Sequence, residues 1–454
     1  MNDSLILVIF GITGDLSQRK LLPAIYNLIK SGDLKCDLTI VGISRRDVSA
    51  DQVYDRLEKF IPKDEFNDTI KSEMLNRTKI VQMGLDDRAA YFNLLKLLQG
   101  IEIEKNKSST RLYYLSIPTE AFVSVINNLG STGHNKSIED VIDAPRLLIE
   151  KPFGRDLRSA KNLIDLVDKN FTEDQIYRID HYLAKETVQN ILTFRFENPL
   201  FEDVWNNRYV ADIAIKAHEK IGIEGRANFY EHTGALRDLV QSHLLQLLAI
   251  TTISKPRQMN SDSIHEEKLK ILKSITPIRL NQVGSLTTRG QYRGYREEVN
   301  NPSSFVETFA RVNISINNDQ WRGVPIVLET GKALANKRTE ITVCFQRDKE
   351  NHSNKLVFRI QPDEGITLML HVKRPGVDNF VDVANMDFSY NSEFNLRQAE
   401  AYERVLVDAI KGDQTLFATA EEVITTWEIV EDILTKWSKD DEELIRYDKG
   451  SEDV

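Results

Sequence analysis

Two cysteines, Cys36 and Cys344, are the whole thiol content of 454 residues, and no short spacing pairs them. That excludes a disulfide framework, a zinc ribbon and a Cys-x-x-Cys redox motif. Positive charge is also short: 59 Lys and Arg against 69 Asp and Glu leave a formal net charge of -10. Nucleic acid and anionic membrane therefore feel no long-range attraction, and any anionic ligand must be held by a local basic pocket. No apolar run approaches the roughly 20 residues of a membrane span. The apolar stretch Leu5–Phe10 has no basic residue before it and meets Gly11 and Asp15 at once, so it fails as a secretory signal. None of the eight histidines lies in an H-E-x-x-H motif, and no metal is expected. These absences point to a reducing, cytoplasmic setting.

A chain this long exceeds one hydrophobic core and is expected to divide. Up to about residue 180, short apolar runs alternate with helical patterns. The runs are Leu5–Phe10, Leu38–Val41, Lys79–Met83, Arg111–Ile117 (ended by Pro118) and Leu147–Ile149 (ended by Pro152). Between them, Leu21, Leu22, Ile25, Leu28 and Ile29 recur at helical spacing, and a second helix is expected near Ala50–Phe60. This alternation predicts a Rossmann-type, doubly wound parallel sheet over residues 1–180. Beyond residue 200 the segments Phe305–Ile316, Ile341–Phe345, Lys355–Ile360 and Ile366–Val372 follow one another through short turns, the pattern of a mainly antiparallel sheet. With helices near Leu396–Ile410 and Ala420–Trp437 they predict a larger α+β domain over residues 181–454. The acidic tail Ser438–Val454 is expected to fray.

The turn after the first strand reads Gly11-Ile12-Thr13-Gly14-Asp15-Leu16 and leads into a helix. Glycines there would let a pyrophosphate approach the backbone at a helix N-terminus, although an ordinary strand–helix turn would look the same because the middle glycine of G-x-G-x-x-G is missing. The second strand ends in Ser44-Arg45-Arg46, two cations where a 2′-phosphate would lie, so NADP is favoured; Asp47, one step on, keeps NAD open.

Two further segments carry chemistry. In Tyr177–Glu186, a helix capped by Asp180 and running to Asn190 would put His181 and Lys185 four apart on one face. With the Tyr182 hydroxyl they would suit a phosphate dianion, unless Glu186 simply neutralises Lys185 on a solvated face. In Gly234–Leu247, His243 lies three after Val240, four before Leu247 and seven after Leu236, on the apolar stripe of an α-helix. Such a histidine is either a satisfied core residue or a desolvated general base awaiting a carboxylate.

From Gly11 to about Trp437 the chain resembles the glucose-6-phosphate dehydrogenase family. The resemblance rests on seven ordered blocks: GITGDLSQRK, EKPFG (Glu150–Gly154), RIDHYLAKE, EKIGIEGR (Glu219–Arg226), GALRDLVQSHLLQ, GVPIVLETGKAL (Gly323–Leu334) and AYERVLVDA (Ala401–Ala409). It implies hydride transfer from C1 of D-glucose 6-phosphate to NADP, giving 6-phospho-D-glucono-1,5-lactone, the first step of the oxidative pentose phosphate pathway. His243 would be the base and Asp180 its orienting acid. His181, Tyr182 and Lys185 would bind the phosphate, Glu219 and Asp238 the sugar hydroxyls, and Lys332 and Lys337 would be further substrate contacts. Gly11, Thr13, Gly14, Asp15, Leu16, Lys20, Arg45 and Arg46 would hold the cofactor, with Lys151 between cofactor and substrate and a cis bond before Pro152. A homodimer or dimer of dimers is implied. Three positions depart from the family pattern: Ala184 for glycine, Ser242 for asparagine, and Glu329 where an arginine is common. That arginine supports a second, structural NADP in some members, so with Glu329 and the short C-terminus one dinucleotide per subunit is expected. Two other readings share this frame: a dehydrogenase of another sugar or sugar phosphate, and a non-catalytic NADP sensor.

Overall fold

The computed structural model describes residues 4–136, 144–346, 353–394, 397, 399–439 and 442–454. The chain forms two compact units. Unit 1 comprises Met1–Gly154, Arg158–Ala184 and Ala399–Ala420; unit 2 comprises Arg155–Leu157, Lys185–Gln398 and Glu421–Val454.

Unit 1 is built on a seven-stranded sheet. Its strands are β1 (Ser4–Phe10), β2 (Asp37–Ser44), β3 (Thr78–Gln82), β4 (Thr110–Leu115), β5 (Arg146–Ile149), β6 (Ile176–Ile179) and, from far along the chain, β15 (Phe417–Ala418). The order β15-β6-β5-β4-β1-β2-β3 is parallel except at β15, the doubly wound arrangement expected from the strand–helix alternation. Every residue of β1 is buried, because helices cover both faces. Leu5, Leu7 and Ile9 share one core with Leu22, Ile25 and Leu28 of the helix Leu22–Ser31. Ile6, Val8 and Phe10 point the other way, into a core with Tyr91, Leu94 and Leu98 and with Phe122, Val125 and Ile126.

A division at residue 180 does not include the return of residues 399–420 to unit 1. The helix Ala401–Lys411 is drawn there by Val405, Leu406 and Ala409, which join the first of these cores. Arg146 holds its C-terminal end, donating to the carbonyls of Ala409 at 2.7 Å and Ile410 at 2.8 Å. The sequence pattern began this helix at Leu396, which lies outside the described residues.

Unit 2 contains a nine-stranded sheet of β7 (Val210–His218), β8 (Thr287–Tyr292), β9 (Phe309–Ile314), β10 (Ile326–Gly331), β11 (Arg338–Phe345), β12 (Lys355–Gln361), β13 (Gly365–Lys373), β14 (Val381–Ser389) and β16 (Leu444–Tyr447). In the order β14-β13-β12-β11-β7-β10-β9-β8-β16, only β7/β10 and β8/β16 are parallel, so the sheet is mainly antiparallel, as expected. Buried and half-buried residues alternate along β11 and β12, the mark of a sheet covered on one face. The described residues of the tail do not fray. Tyr447 is buried with Tyr292, Phe309 and Leu334, and past it Gly450 N–H donates to Ala333 at 2.7 Å. One aromatic anchor and a strand pairing outweigh the tail's acidic composition.

Candidate active site

In unit 1 the candidate cofactor turn follows β1 directly. Gly11 has φ +80°, and a Cβ there would collide with the carbonyl of Ser116, so only glycine fits. Gly14 N–H closes the turn onto the Gly11 carbonyl at 2.8 Å, and the Ser17 hydroxyl lies 3.0 Å from the same carbonyl. A π-wound turn, Ser17–Leu21, then leads into the helix Leu22–Ser31. This is a backbone cradle at a helix start, which fits a pyrophosphate. Thr13 and Leu16 are half-buried at its edge, while Asp15 and Lys20 are exposed. Arg45 and Arg46 are exposed at the end of β2, where the Arg46 N–H bonds to Ser44 Oγ at 3.1 Å.

Two strands of the same sheet end beside one another, β5 before Glu150-Lys151-Pro152 and β6 before Asp180. The Lys151–Pro152 bond is cis, as the family resemblance implied. Asp180 is buried, at 3% exposure, and its Oδ1 accepts the Tyr182 N–H at 2.9 Å. His181 Nε2 lies 3.0 Å from a Glu150 carboxylate oxygen, and its ring stacks on Tyr402 at 4.1 Å between centroids. Tyr114 donates to the other Glu150 oxygen. Burial, reinforced by the Glu150 charge, pushes the Tyr114 and Tyr402 hydroxyls up, so both stay protonated.

This geometry corrects one expectation. Asp180 does not cap a helix through Asn190: residues 181–184 form a turn, and the helix Glu186–Phe196 begins after Lys185. One Asp180 carboxylate oxygen instead closes an Asx-type turn at Tyr182. His181 and Lys185 therefore do not share a helical face. Within unit 2 the helix start is satisfied instead by Glu364, which accepts Thr187 N–H at 3.2 Å and lies 3.5 Å from Lys185 Nζ. Glu364 comes from the β12–β13 turn, and no local pattern announces it. Glu150 and Tyr402 were also missed as site neighbours, although Glu150 opens the EKPFG block.

The remaining candidates belong to unit 2. β7 and β10 run parallel with His218 opposite Gly331, so the next residues, Glu219 and Lys332, emerge at the same level and form an ion pair. Lys332 also lies 5.2 Å from the centre of the Tyr230 ring. Lys337 is exposed immediately before β11, whose first residue, Arg338, is also opposite His218. Asp238 is half-buried and His243 buried, at 8% exposure, on the helix Leu236–Leu244. That helix is π-wound, so the α-helical wheel that put His243 on the apolar stripe does not describe it. Burial, then the charges of Asp238, Glu307 and Glu219, push the Tyr230 hydroxyl well up, and it stays a donor. Among the described residues no group of three His, Cys, Asp or Glu is arranged to hold a metal ion.

Glu329, the departure on β10, is 3% exposed and lies between the His218 ring at 2.7 Å and two cations, Arg311 at 2.5 Å and Lys216 at 3.2 Å. Burial raises its pKa, but the bonds from His218 and Arg311 and the charges of Arg311 and Lys216 win and hold it at about 2, below its ordinary 4.5. A carboxyl depressed on folding stabilises the fold fully above its unfolded pKa and loses that contribution as pH falls through the folded one. Glu329→Gln is therefore expected to cost about 3 kcal/mol at pH 7. The gap to wild type narrows as pH drops from about 4.5 towards 2. Urea unfolding at a series of pH values reads this, and a gap that stays constant would contradict it.

Comparison with known proteins places the whole chain. Residues 8–190 match the family model described as glucose-6-phosphate dehydrogenase, NAD binding domain, and residues 192–454 match its C-terminal domain. The glucose-6-phosphate 1-dehydrogenase of Chlamydia muridarum (strain MoPn / Nigg) is 41% identical, the match covering 93% of this chain and 88% of that protein. The enzyme of that name from Borreliella burgdorferi (strain ATCC 35210 / DSM 4680 / CIP 102532 / B31) is 39% identical over 93% of this chain and 90% of its own. Among solved structures, a glucose-6-phosphate dehydrogenase in complex with its substrate glucose-6-phosphate is 31% identical, with a TM-score of 0.93 over 100% of this chain and 96% of that one. A levoglucosan dehydrogenase, 9% identical at a TM-score of 0.56 over 96% of this chain and 98% of that one, shares the fold alone. The chain belongs to the glucose-6-phosphate dehydrogenase family.

Proposed function

We propose that this chain oxidises D-glucose 6-phosphate to 6-phospho-D-glucono-1,5-lactone with NADP as acceptor, the entry step of the oxidative pentose phosphate pathway. One observation carries the reading: the end-to-end match in fold to a dehydrogenase solved with glucose-6-phosphate. The cofactor is a nicotinamide dinucleotide, and when bound it supplies the hydride acceptor. The Gly11 turn, with Thr13, Gly14, Asp15, Leu16 and Lys20, would hold its pyrophosphate. His243 would take the C1 hydroxyl proton as the hydride leaves, with Asp180 fixing the tautomer of that imidazole. His181, Tyr182 and Lys185 would bind the phosphate, giving an acidic protein its local basic pocket. Glu219 and Asp238 would accept from sugar hydroxyls, Lys332 and Lys337 would add substrate contacts, and Lys151 would lie between cofactor and sugar. Absorbance at 340 nm tests the reading: NADPH is expected to form with glucose 6-phosphate and far more slowly with glucose. Equal rates would refute the phosphate site.

NADP rather than NAD rests on Arg45 and Arg46 at the end of β2. Arg45→Ala is expected to raise KM for NADP by about 10- to 100-fold, the loss of a charge-assisted phosphate contact, and KM for NAD hardly at all. Equal losses would remove Arg45 from the 2′-phosphate. One dinucleotide per subunit is proposed because Glu329 fills its position with an acid, and equilibrium dialysis finding two would overturn it. A dinucleotide domain over residues 1–180 and a substrate domain over 181–454 are proposed as the functional division.

A homodimer, or a dimer of such dimers, is supported by the edge of the nine-stranded sheet. On and beside β14, Val377, Phe380, Val381, Val383 and Met386 are all exposed, and an apolar sheet edge of this kind calls for a partner. Light scattering that returned the monomer mass would refute it. The cytoplasmic setting rests on two free cysteines and on the lack, among the described residues, of any helix long and apolar enough to cross a membrane. Activity recovered from the membrane pellet of fractionated cells would count against it.

A further inference from the structure

The π winding of Leu236–Leu244 has a chemical consequence. On an α-helix, Asp238 and His243 would lie about 140° apart around the axis. With i→i+5 bonding, as from Leu245 N–H back to Val240, residues five apart stack on one face. Asp238 and His243 are five apart. Winding of this kind is rare and needs something to hold it.

Glu307 is the residue at the mouth of that helix. It is buried, its carboxylate accepts Leu236 N–H at 2.9 Å, and its own carbonyl accepts Ala235 N–H at 3.0 Å. Gly234, at φ +69°, packs so closely that a Cβ would collide with the same carboxylate. Three consecutive residues entering the helix are thus registered on one side chain and its backbone. The next residue, Thr308, does the same for the turn after β10. Its carbonyl accepts Lys332 N–H at 2.9 Å, its hydroxyl lies 2.8 Å from that of Tyr447, and the Tyr447 hydroxyl donates to the Lys332 carbonyl at 2.7 Å. A single dipeptide leading into β9 therefore sets the helix bearing Asp238 and His243 and the turn bearing Lys332.

We propose that Glu307 is a positioning residue for the reaction, holding the π register that aligns Asp238 and His243 towards the sugar. The inference rests on the reading of the chain as a sugar-phosphate dehydrogenase. A carboxylate that merely stabilised the fold would change the melting temperature without separating the kinetic constants. Burial pushes the Glu307 carboxyl up, and Gln is a fair replacement because it keeps one acceptor oxygen for Leu236 N–H.

The test compares Glu307→Gln with Glu307→Met, which keeps the volume but has no acceptor oxygen, in the full-length enzyme. Glu307→Gln is expected to retain kcat within about threefold of wild type, and Glu307→Met to lose about 10²-fold, the cost of a misplacement near 1 Å. KM for NADP is expected to stay unchanged in both, because the candidate cofactor turn lies in unit 1. Gly234→Ala, which drives the carboxylate away from Leu236, is expected to reproduce the kcat loss and covers the case in which Glu307→Met does not fold. Full kcat in folded Glu307→Met or in folded Gly234→Ala, or equal loss in the Gln and Met variants, would overturn the proposal while leaving the assigned activity standing. A wild-type enzyme inert towards glucose 6-phosphate would instead overturn that assignment and this inference together.

Discussion

The His243→Asn enzyme is expected to turn over about 10⁴-fold more slowly than wild type while binding glucose 6-phosphate with nearly the same affinity. Asn keeps a polar side chain of similar reach on the π-wound helix, so the surrounding packing is preserved. What it lacks is a group that can take a proton near neutral pH. Ground-state binding of the sugar does not use that ability; only the transition state does, and the loss therefore falls on kcat. The pH profile adds a second reading. Wild-type kcat/KM is expected to fall as acid protonates the imidazole, and the variant is expected to lose that limb. Initial rates with varied glucose 6-phosphate across pH 5 to 9 measure both. A large rise in KM with normal kcat would make His243 a binding residue and remove it from proton transfer.

The two periodicities made the architecture legible. Leu5–Phe10 reads as a strand buried on both faces because successive residues feed two separate cores, one with Ile25 and Leu28, the other with Tyr91 and Leu98. The glycine turn is likewise local, since Gly11 needs a backbone conformation that only glycine tolerates at that distance from Ser116. Features decided by partners far along the chain were not legible. The turn at 181–184 leaves the next helix to be capped by Glu364, 177 residues beyond Thr187. The π winding of 236–244 begins on Glu307, 71 residues beyond Leu236. The acidic tail is ordered by Tyr447 meeting Thr308 and Lys332. In each case the local pattern was compatible with two structures, and a long-range hydrogen bond chose between them.

Asp180→Asn isolates the charge of the proposed orienting acid from its structural duty. The carboxylate is buried, and one of its oxygens accepts the Tyr182 N–H at 2.9 Å. The amide oxygen of Asn can accept the same bond, so the turn carrying His181 and Tyr182 is expected to survive, with KM for glucose 6-phosphate within a few-fold of wild type. The negative charge that would stabilise an imidazolium is gone, and the amide can fix the wrong tautomer. A fall in kcat of about 10²- to 10³-fold is expected. Asp180→Ala also deletes the acceptor at Tyr182 and is expected to raise KM as well, through the phosphate contacts that follow in the chain. The decisive comparison is the double variant. Two residues acting as one proton-transfer unit lose their function once, so Asp180→Asn added to His243→Asn is expected to cost little more than His243→Asn alone. Multiplicative losses would mean that the two residues contribute independently, and the base would then need a different carboxylate.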